Sequence, residues 1–130
     1  MDELIRKALE ARKMSYSPYS GYKVGAALEA EDGTVYTGCN VENAAFGPSN
    51  CAERTAIFKA VSEGCRKWKR IVITGGKGEE PTDYAAPCGV CRQVMAEFCD
   101  GSFEIILAKN EKDFIVYTLS QLLPESFSLK

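Results

Sequence analysis

Three cysteines and one glutamate, in two short stretches of the chain, are residues that could carry metal chemistry together. The first stretch, Cys51-Ala52-Glu53, places a carboxylate two residues after a thiol, and the second, Pro87-Cys88-Gly89-Val90-Cys91, adds two further thiols. Three protein ligands around a tetrahedral zinc ion leave one position open for water, and such a water ionises near neutral pH. Glu53 is not needed as a ligand and can move protons beside that water. These residues therefore predict a hydrolytic zinc site.

Two alternative roles for these cysteines remain open. They could be buried structural residues or ligands of a closed structural zinc site, and a lone Cys-x-x-Cys would favour either role. A third cysteine followed by a glutamate, with no clear fourth ligand, favours an open catalytic site instead. The chain contains no histidine. A transition-metal site must therefore use thiolates and carboxylates, and histidine acid–base catalysis is excluded.

Arg54 directly follows the glutamate and bears on the charge of such a site. Three thiolates around Zn²⁺ leave an excess of negative charge, which disfavours ionisation of the bound water. A guanidinium that donates hydrogen bonds to the sulfur atoms would withdraw part of that charge. We therefore predict a charge-balancing role for Arg54, the alternative being a solvated arginine on a helix.

Each cysteine stretch begins a segment with helical character. One helix is predicted over residues 51–63 with Asn50 as its N-cap residue, and another begins near Cys88 and is opened by Pro87. A cysteine at a helix N-terminus has its thiolate stabilised by the helix dipole and by free backbone N–H groups. Cys91 follows Cys88 by one helical turn, so both sulfur atoms are expected to face the same way.

The rest of the chain supplies a first helix and five strands around these segments. Apolar residues recur at helical spacing from Asp2 to about Met14, with Arg12 assigned to the solvent side. Strands are predicted over residues 22–30, 34–41, 70–74, 103–108 and 114–118, with a last helical turn over 120–123. The long polar loop over residues 75–86 is expected to be functional. This order indicates the α/β class, a three-layer α/β/α sandwich around a five-stranded mixed sheet.

Composition predicts a single domain over residues 1–130. Hydrophobic residues make up 45% of the chain and charged residues 26%, which is ordinary for a globular protein with one core. The net charge of −2 argues against nucleic acid as the main partner. No apolar stretch approaches the ~20 residues of a membrane span, and no export signal is present, so we expect a cytoplasmic protein. The other cysteines are expected to be small buried apolar fillers: Cys39, Cys65 and Cys99.

Four blocks of sequence carry a family resemblance. They span residues 22–28, 38–45, 50–56 and 87–93, and the last two contain the Cys-x-Glu and Pro-Cys-x-x-Cys pattern of zinc-dependent deaminases. Over nearly its whole length the chain resembles the small homotetrameric cytidine deaminases. The resemblance implies that Cys51, Cys88 and Cys91 bind one zinc ion per subunit and that Glu53 shuttles protons. It also implies hydrolytic deamination of cytidine and 2′-deoxycytidine to the uracil nucleosides and ammonia, a step of pyrimidine salvage.

The same resemblance assigns residues to the nucleoside substrate. Asn40 and Glu42 are implied to hydrogen-bond the ribose hydroxyls, although the residues alone would equally suit a strand end and a turn. Tyr22 stands where the family usually has a phenylalanine against the pyrimidine ring, so the aromatic face is retained and a hydroxyl is added. The backbone around Ala52 and Cys88 is expected to contact the edge of the base.

Partners and alternatives follow from the resemblance as well. It implies a homotetramer in which Phe46 reaches a neighbouring subunit and Phe127 closes a neighbour's pocket, with no nucleic-acid or membrane partner. An aromatic such as Phe127 or Tyr22, taken alone, is more often a core residue. The nearest enzymatic alternative is a deaminase of a modified cytosine nucleoside such as blasticidin S. A structural zinc module for protein or RNA binding is another class, and it predicts a fourth metal ligand and no need for Glu53.

Overall fold

The structure is a computed structural model that describes residues 1–129. The helices are α1 (Asp2–Arg12), α2 (Ala52–Ser62), α3 (Gly89–Phe98) and α4 (Leu119–Leu122). The strands are β1 (Lys23–Ala30), β2 (Val35–Cys39), β3 (Trp68–Gly76), β4 (Glu104–Asn110) and β5 (Asp113–Thr118). Each predicted helix and strand is present, with ends that differ by a residue or two from the prediction. Within residues 1–129, no helix has the length and apolar character that crossing a bilayer requires.

The strands form one mixed sheet in the order β2-β1-β3-β4-β5. β1 pairs antiparallel with β2 and with β3, β3 pairs parallel with β4, and β4 pairs antiparallel with β5. The chain passes through α2 from β2 to β3 and through α3 from β3 to β4, and each connection joins strands of the same direction. Because both connections move the same way across the sheet, equal handedness places α2 and α3 on one face. The predicted five-stranded mixed sheet is confirmed.

The two faces of the sheet carry separate apolar clusters. On one face α1 buries Ile5 and Ala8 against the central strands. On the other face α2 and α3 bury Ile57 and Met95 against the same strands. Helices thus cover both faces, and the predicted three-layer α/β/α sandwich is confirmed.

Two glycines let the helices approach the sheet closely. A Cβ atom on Gly25 of β1 would lie 2.2 Å from the carbonyl oxygen of Ala8 in α1. A Cβ atom on Gly38 of β2 would lie 2.6 Å from the backbone nitrogen of Ala56 in α2. Any larger residue would push the helix away, because neither neighbouring backbone atom can yield without moving its helix. The second contact holds the N-terminal half of α2, which carries site residues, against β2.

The assignment of Arg12 to the solvent side of α1 is wrong. Its side chain is buried, with 3% exposure, and its guanidinium donates to the carbonyl of Lys23 at 3.2 Å. It also donates to the carbonyls of Gly76, Gly78 and Glu79 at 2.7, 2.6 and 3.0 Å. Arginine offers five N–H donors in a planar fork, which suits a cluster of carbonyls. Helical spacing could not predict these contacts, because three of the four acceptors lie 64 to 67 residues away in the sequence.

The remaining cysteines are less buried than predicted. Cys39, Cys65 and Cys99 are all free and all half-buried rather than fully enclosed. Cys65 and Cys99 pack against the larger apolar cluster, and burial raises the pKa of Cys99 to about 12. Cys65 and Cys99 therefore serve as apolar packing residues at the edge of the core and not inside it.

Candidate active site

The three predicted cysteine ligands meet where α2 and α3 begin. Cys51 is the N-cap residue of α2, Cys88 is the N-cap residue of α3, and Cys91 lies in the first turn of α3. Their sulfur atoms lie within 4.8 Å of one another, with Cys88 Sγ 3.7 Å from Cys51 Sγ and 3.4 Å from Cys91 Sγ. Thiolates at about 2.3 Å from a tetrahedral zinc ion lie about 3.8 Å apart. The cluster is therefore suited to bind one metal ion.

The predicted caps of these two helices are each displaced by one residue. Asn50 is not the N-cap of α2, because its backbone N–H and C=O both pair with Val41 at 2.9 Å. Pro87 precedes the N-cap of α3 rather than opening its first turn. In both helices a cysteine occupies the N-cap position. Cys88 fills the capping role itself, since its sulfur accepts a hydrogen bond from the backbone N–H of Cys91 at 3.4 Å.

The cluster is open on one side. Among the cysteine, aspartate and glutamate side chains of residues 1–129, only Cys51, Cys88 and Cys91 form such a metal-binding group. Cys91 is buried, Cys51 is half-buried and Cys88 is exposed. A closed structural zinc site needs a fourth protein ligand. The geometry therefore favours an open site and disfavours the structural zinc module.

A cleft of about 660 Å³ leads to the cluster, a size typical of small-molecule sites. It is lined by most of the residues predicted from the sequence: Tyr22, Asn40, Glu42, Phe46, Cys51, Ala52, Glu53, Arg54 and Cys88. Cys91 is fully buried and is not among the lining residues. Phe127 lines a different groove, near the ends of α3 and α4, and is 67% exposed. Its predicted place in a neighbour's pocket stays a prediction.

Glu53 lies beside the thiols as the second residue of α2 and lines the cleft. The side chain is 4% exposed, and this burial raises its pKa to about 7. A carboxyl group with such a pKa can both accept and release a proton near neutral pH. Glu53 therefore has the position and the acidity that a proton shuttle requires.

Arg54 makes the contact predicted from the charge argument. Its Nη2 donates a hydrogen bond to Cys51 Sγ at 3.2 Å. Hydrogen bonds from Cys91 and from Arg54 lower the pKa of Cys51 to about 5, and the hydrogen bond to Cys51 raises the pKa of Cys91. Arg54 Nε is buried and has no hydrogen-bond partner within residues 1–129. The guanidinium thus contacts the sulfur through one N–H group while another buried donor has no partner among these residues.

Asn40 is largely occupied by contacts within the chain. Its Oδ1 accepts hydrogen bonds from Ser15 Oγ at 2.6 Å and from the backbone N–H of Val24 at 2.9 Å. Its Nδ2 donates to the carbonyl of Tyr22 at 2.8 Å. Because a carboxamide has two acceptor lone pairs and two N–H donors, one N–H is left. Asn40 can therefore offer a ligand one donor and no acceptor.

Glu42 complements Asn40 in the same cleft. Its Oε1 accepts hydrogen bonds from the backbone N–H groups of Tyr19 and Ser20 at 2.9 and 3.1 Å, and its Oε2 accepts one from the Ser20 hydroxyl. These bonds, that of the Ser20 hydroxyl above all, lower the pKa of Glu42. The ionised carboxylate keeps a free lone pair on Oε2. A donor at Asn40 and an acceptor at Glu42 suit a pair of hydroxyl groups.

The loop between β3 and α3 (residues 77–88, the rim loop) adds cleft residues that the sequence did not identify. Asp83, Tyr84 and Ala85 belong to the lining, and Tyr22 Oη donates to Asp83 Oδ2 at 2.9 Å. Burial, with the hydrogen bond to Asp83, raises the pKa of Tyr22 to about 12. Loop length predicted a functional segment here. No signal in the sequence identified which side chains of the loop face the cleft.

Comparisons with known proteins agree with this geometry. Residues 1–107 match the family model for the cytidine and deoxycytidylate deaminase zinc-binding region. A cytidine deaminase of Sporosarcina psychrophila is 49% identical over 128 residues, which are 98% of this chain and 91% of the relative. The cytidine deaminase of Halalkalibacterium halodurans is 48% identical over 126 residues, or 96% and 92% of the two chains. A crystal structure of cytidine deaminase from Burkholderia pseudomallei is similar with a TM-score of 0.87 at 46% identity, covering 96% of this chain and 97% of that one.

Proposed function

The chain belongs to the cytidine and deoxycytidylate deaminase family, and on that premise we propose that it deaminates cytidine hydrolytically to uridine and ammonia. The observation that carries this proposal is the buried Glu53 in a cleft that ends at three converging thiols. The cofactor is one zinc ion, which Cys51, Cys88 and Cys91 would hold. When bound, zinc acts as a Lewis acid that makes a water molecule acidic near neutral pH.

Glu53 moves the protons of the proposed reaction. Its carboxylate accepts a proton from the attacking water, delivers it to N3 of the pyrimidine, and then assists departure of the amine from C4. Because Glu53 is buried, a proton on its carboxyl group is not strongly disfavoured, and the same group can act first as base and then as acid. Arg54 donates its hydrogen bond to Cys51, where it offsets the negative charge of the thiolates.

The other cleft residues orient the nucleoside. The free N–H of Asn40 donates to a ribose hydroxyl, and Glu42 Oε2 accepts from one. The Tyr22 ring contacts the pyrimidine, and the backbone around Ala52 and Cys88 contacts the edge of the base. Since 2′-deoxycytidine retains the 3′-hydroxyl and the whole base, we propose it as a second substrate.

Incubation of the zinc-loaded protein with cytidine tests the proposed function. We expect loss of the cytosine absorbance together with release of one ammonia per uridine formed. Blasticidin S in a parallel assay separates this reaction from the nearest enzymatic alternative. Turnover of blasticidin S without turnover of cytidine would reassign the substrate, and turnover of neither would contradict the proposed function.

The charges in the cleft predict selection of nucleosides over nucleotides. Three carboxylates line the cleft, on Glu42, Glu53 and Asp83, and Arg54 is engaged with Cys51. A phosphate close to an ionised carboxylate is repelled, at a cost of several kcal/mol. We therefore expect kcat/KM for cytidine to exceed that for its 5′-monophosphate by about 100-fold. The Glu42→Gln variant should lower the ratio of kcat/KM for cytidine to kcat/KM for the monophosphate. Equal turnover of the two substrates by the unsubstituted protein would contradict the role of Glu42.

We further propose a homotetramer that works in cytoplasmic pyrimidine salvage. Phe46 is 83% exposed and Phe127 is 67% exposed, so both aromatic side chains are available for contact with a partner subunit. Light scattering should give the mass of about four chains, and Phe127→Ala should reduce activity by weakening substrate binding in a neighbouring subunit. A fully active monomer would rule out this assembly as the active form.

A further inference from the structure

Tyr22 is held at several points in the cleft wall. Its hydroxyl donates to Asp83 Oδ2 at 2.9 Å, and its backbone N–H donates to Ser20 Oγ at 3.0 Å. Its ring lies over Gly75, where an added Cβ would be 3.2 Å from both Tyr22 Cε1 and Tyr22 Oη. The hydrogen bond to Ser20 holds the backbone of Tyr22, and the missing side chain of Gly75 leaves room for the ring. The hydrogen bond to Asp83 holds the hydroxyl at the far end of the ring.

Asp83 is in turn held by anchors at the start of the rim loop. Its backbone N–H donates to the carbonyl of Gly75 at 3.2 Å, which fastens the loop to the end of β3. The buried guanidinium of Arg12 holds the carbonyls of Gly76, Gly78 and Glu79. These contacts fix the backbone on the N-terminal side of Asp83, and its carboxylate also accepts a hydrogen bond from the Thr82 hydroxyl at 3.4 Å.

A second anchor follows Asp83 directly. The hydroxyl of Tyr84 donates to Asp113 at the start of β5, and Lys109 Nζ lies 4.2 Å from the centroid of the Tyr84 ring. The cation–π contact of Lys109 and the hydrogen bond to Asp113 both hold the rim loop against the β4–β5 hairpin. Asp83 thus lies between two tethered stretches of backbone, one held by α1 and one held by the hairpin.

We propose that Asp83 is a positioning residue for substrate binding, whose carboxylate holds the Tyr22 hydroxyl so that the ring and not the hydroxyl faces the pyrimidine. This inference rests on the proposed function and deepens it. The Tyr22–Asp83 hydrogen bond is exposed to solvent, so without the carboxylate the hydroxyl would be free to turn toward water or toward the substrate. A phenyl ring has no hydroxyl to hold. Asp83 therefore matters only while residue 22 carries a hydroxyl.

A double-mutant cycle on the zinc-loaded enzyme tests this dependence with cytidine as substrate. Asp83→Ala in the otherwise unchanged protein should raise KM about tenfold and lower kcat less than about threefold. In the Tyr22→Phe background the same substitution should change KM less than about twofold. The conservative Asp83→Asn variant keeps an acceptor oxygen, so its KM should stay close to that of the original protein.

The controls distinguish this role from a general effect of removing a surface carboxylate. Asp32, an exposed aspartate in the β1–β2 turn, accepts a hydrogen bond from the backbone N–H of Thr34, and Asp32→Ala should leave KM unchanged. Equal KM increases in both backgrounds, a larger increase in the Tyr22→Phe background, or no increase in either would overturn the inference while leaving the proposed function intact. Lack of cytidine turnover by the unsubstituted protein would overturn the proposed function and this inference together.

Discussion

Replacing Glu53 by glutamine should lower kcat for cytidine by at least about 100-fold while the protein keeps a full complement of zinc. Glutamine retains the size of the side chain but cannot accept the proton of the attacking water. The side chain is 4% exposed, so bulk water has little access to take over the transfer. The metal should remain because the three sulfur atoms form the metal-binding group without this carboxylate. Steady-state kinetics and elemental analysis of the same preparation measure both results.

Glu63→Gln provides the matched control for this substitution. Glu63 is the C-cap residue of α2, at the opposite end of the helix from the thiols, and it is exposed. Its replacement should change neither kcat nor zinc content. Retained activity in Glu53→Gln would show that another group moves the proton. Loss of zinc in that variant would instead make Glu53 a ligand.

The parts of the site that sequence could predict depend on local spacing. Cys91 follows Cys88 by one helical turn, and Glu53 is the second residue after Cys51, so each pair is brought together by its own helix. Such spacings remain valid whatever the surrounding fold. Spacing alone could not predict that the N-termini of α2 and α3 lie together. That prediction came from the resemblance to a family. The N-cap of α2 was displaced by one residue because a bridge between Val41 and Asn50 uses backbone groups that local propensity ignores.

The parts that sequence could not predict depend on contacts between distant segments. Arg12 follows the helical pattern of α1 as a solvent-facing residue, yet its acceptors include carbonyls at residues 76, 78 and 79. Asp83 likewise has no local feature that marks it as a partner of Tyr22, 61 residues away. Strand order has the same origin, because β1 lies between β2 and β3 through pairing across the sheet. Each of these features becomes visible only when the packed structure brings the segments together.

Removal of the Arg54 side chain should lower turnover more than it weakens cytidine binding. Arg54 Nη2 donates to Cys51 Sγ at 3.2 Å, so its guanidinium offsets negative charge on a ligand and not on the substrate. Changes in groups that support metal ligands typically cost 10–100-fold in activity or metal affinity. We therefore expect Arg54→Ala to reduce kcat by about tenfold or more, with a smaller change in KM. Lys59→Ala, which removes an exposed cation from the same helix, should leave kcat unchanged.

A change of ligand charge tests the physical reason for that loss. Cys51→His replaces a thiolate by a neutral imidazole and so removes the negative charge that Arg54 offsets. In the Arg54→Ala background it should restore part of the lost kcat, whereas in the original protein it should help less or do harm. Zinc affinity, measured by competition with a chelator in all four proteins, shows separately whether a variant has simply lost its metal. If Arg54→Ala leaves kcat unchanged, or if Cys51→His harms both backgrounds equally, Arg54 does not balance the charge of the thiolates.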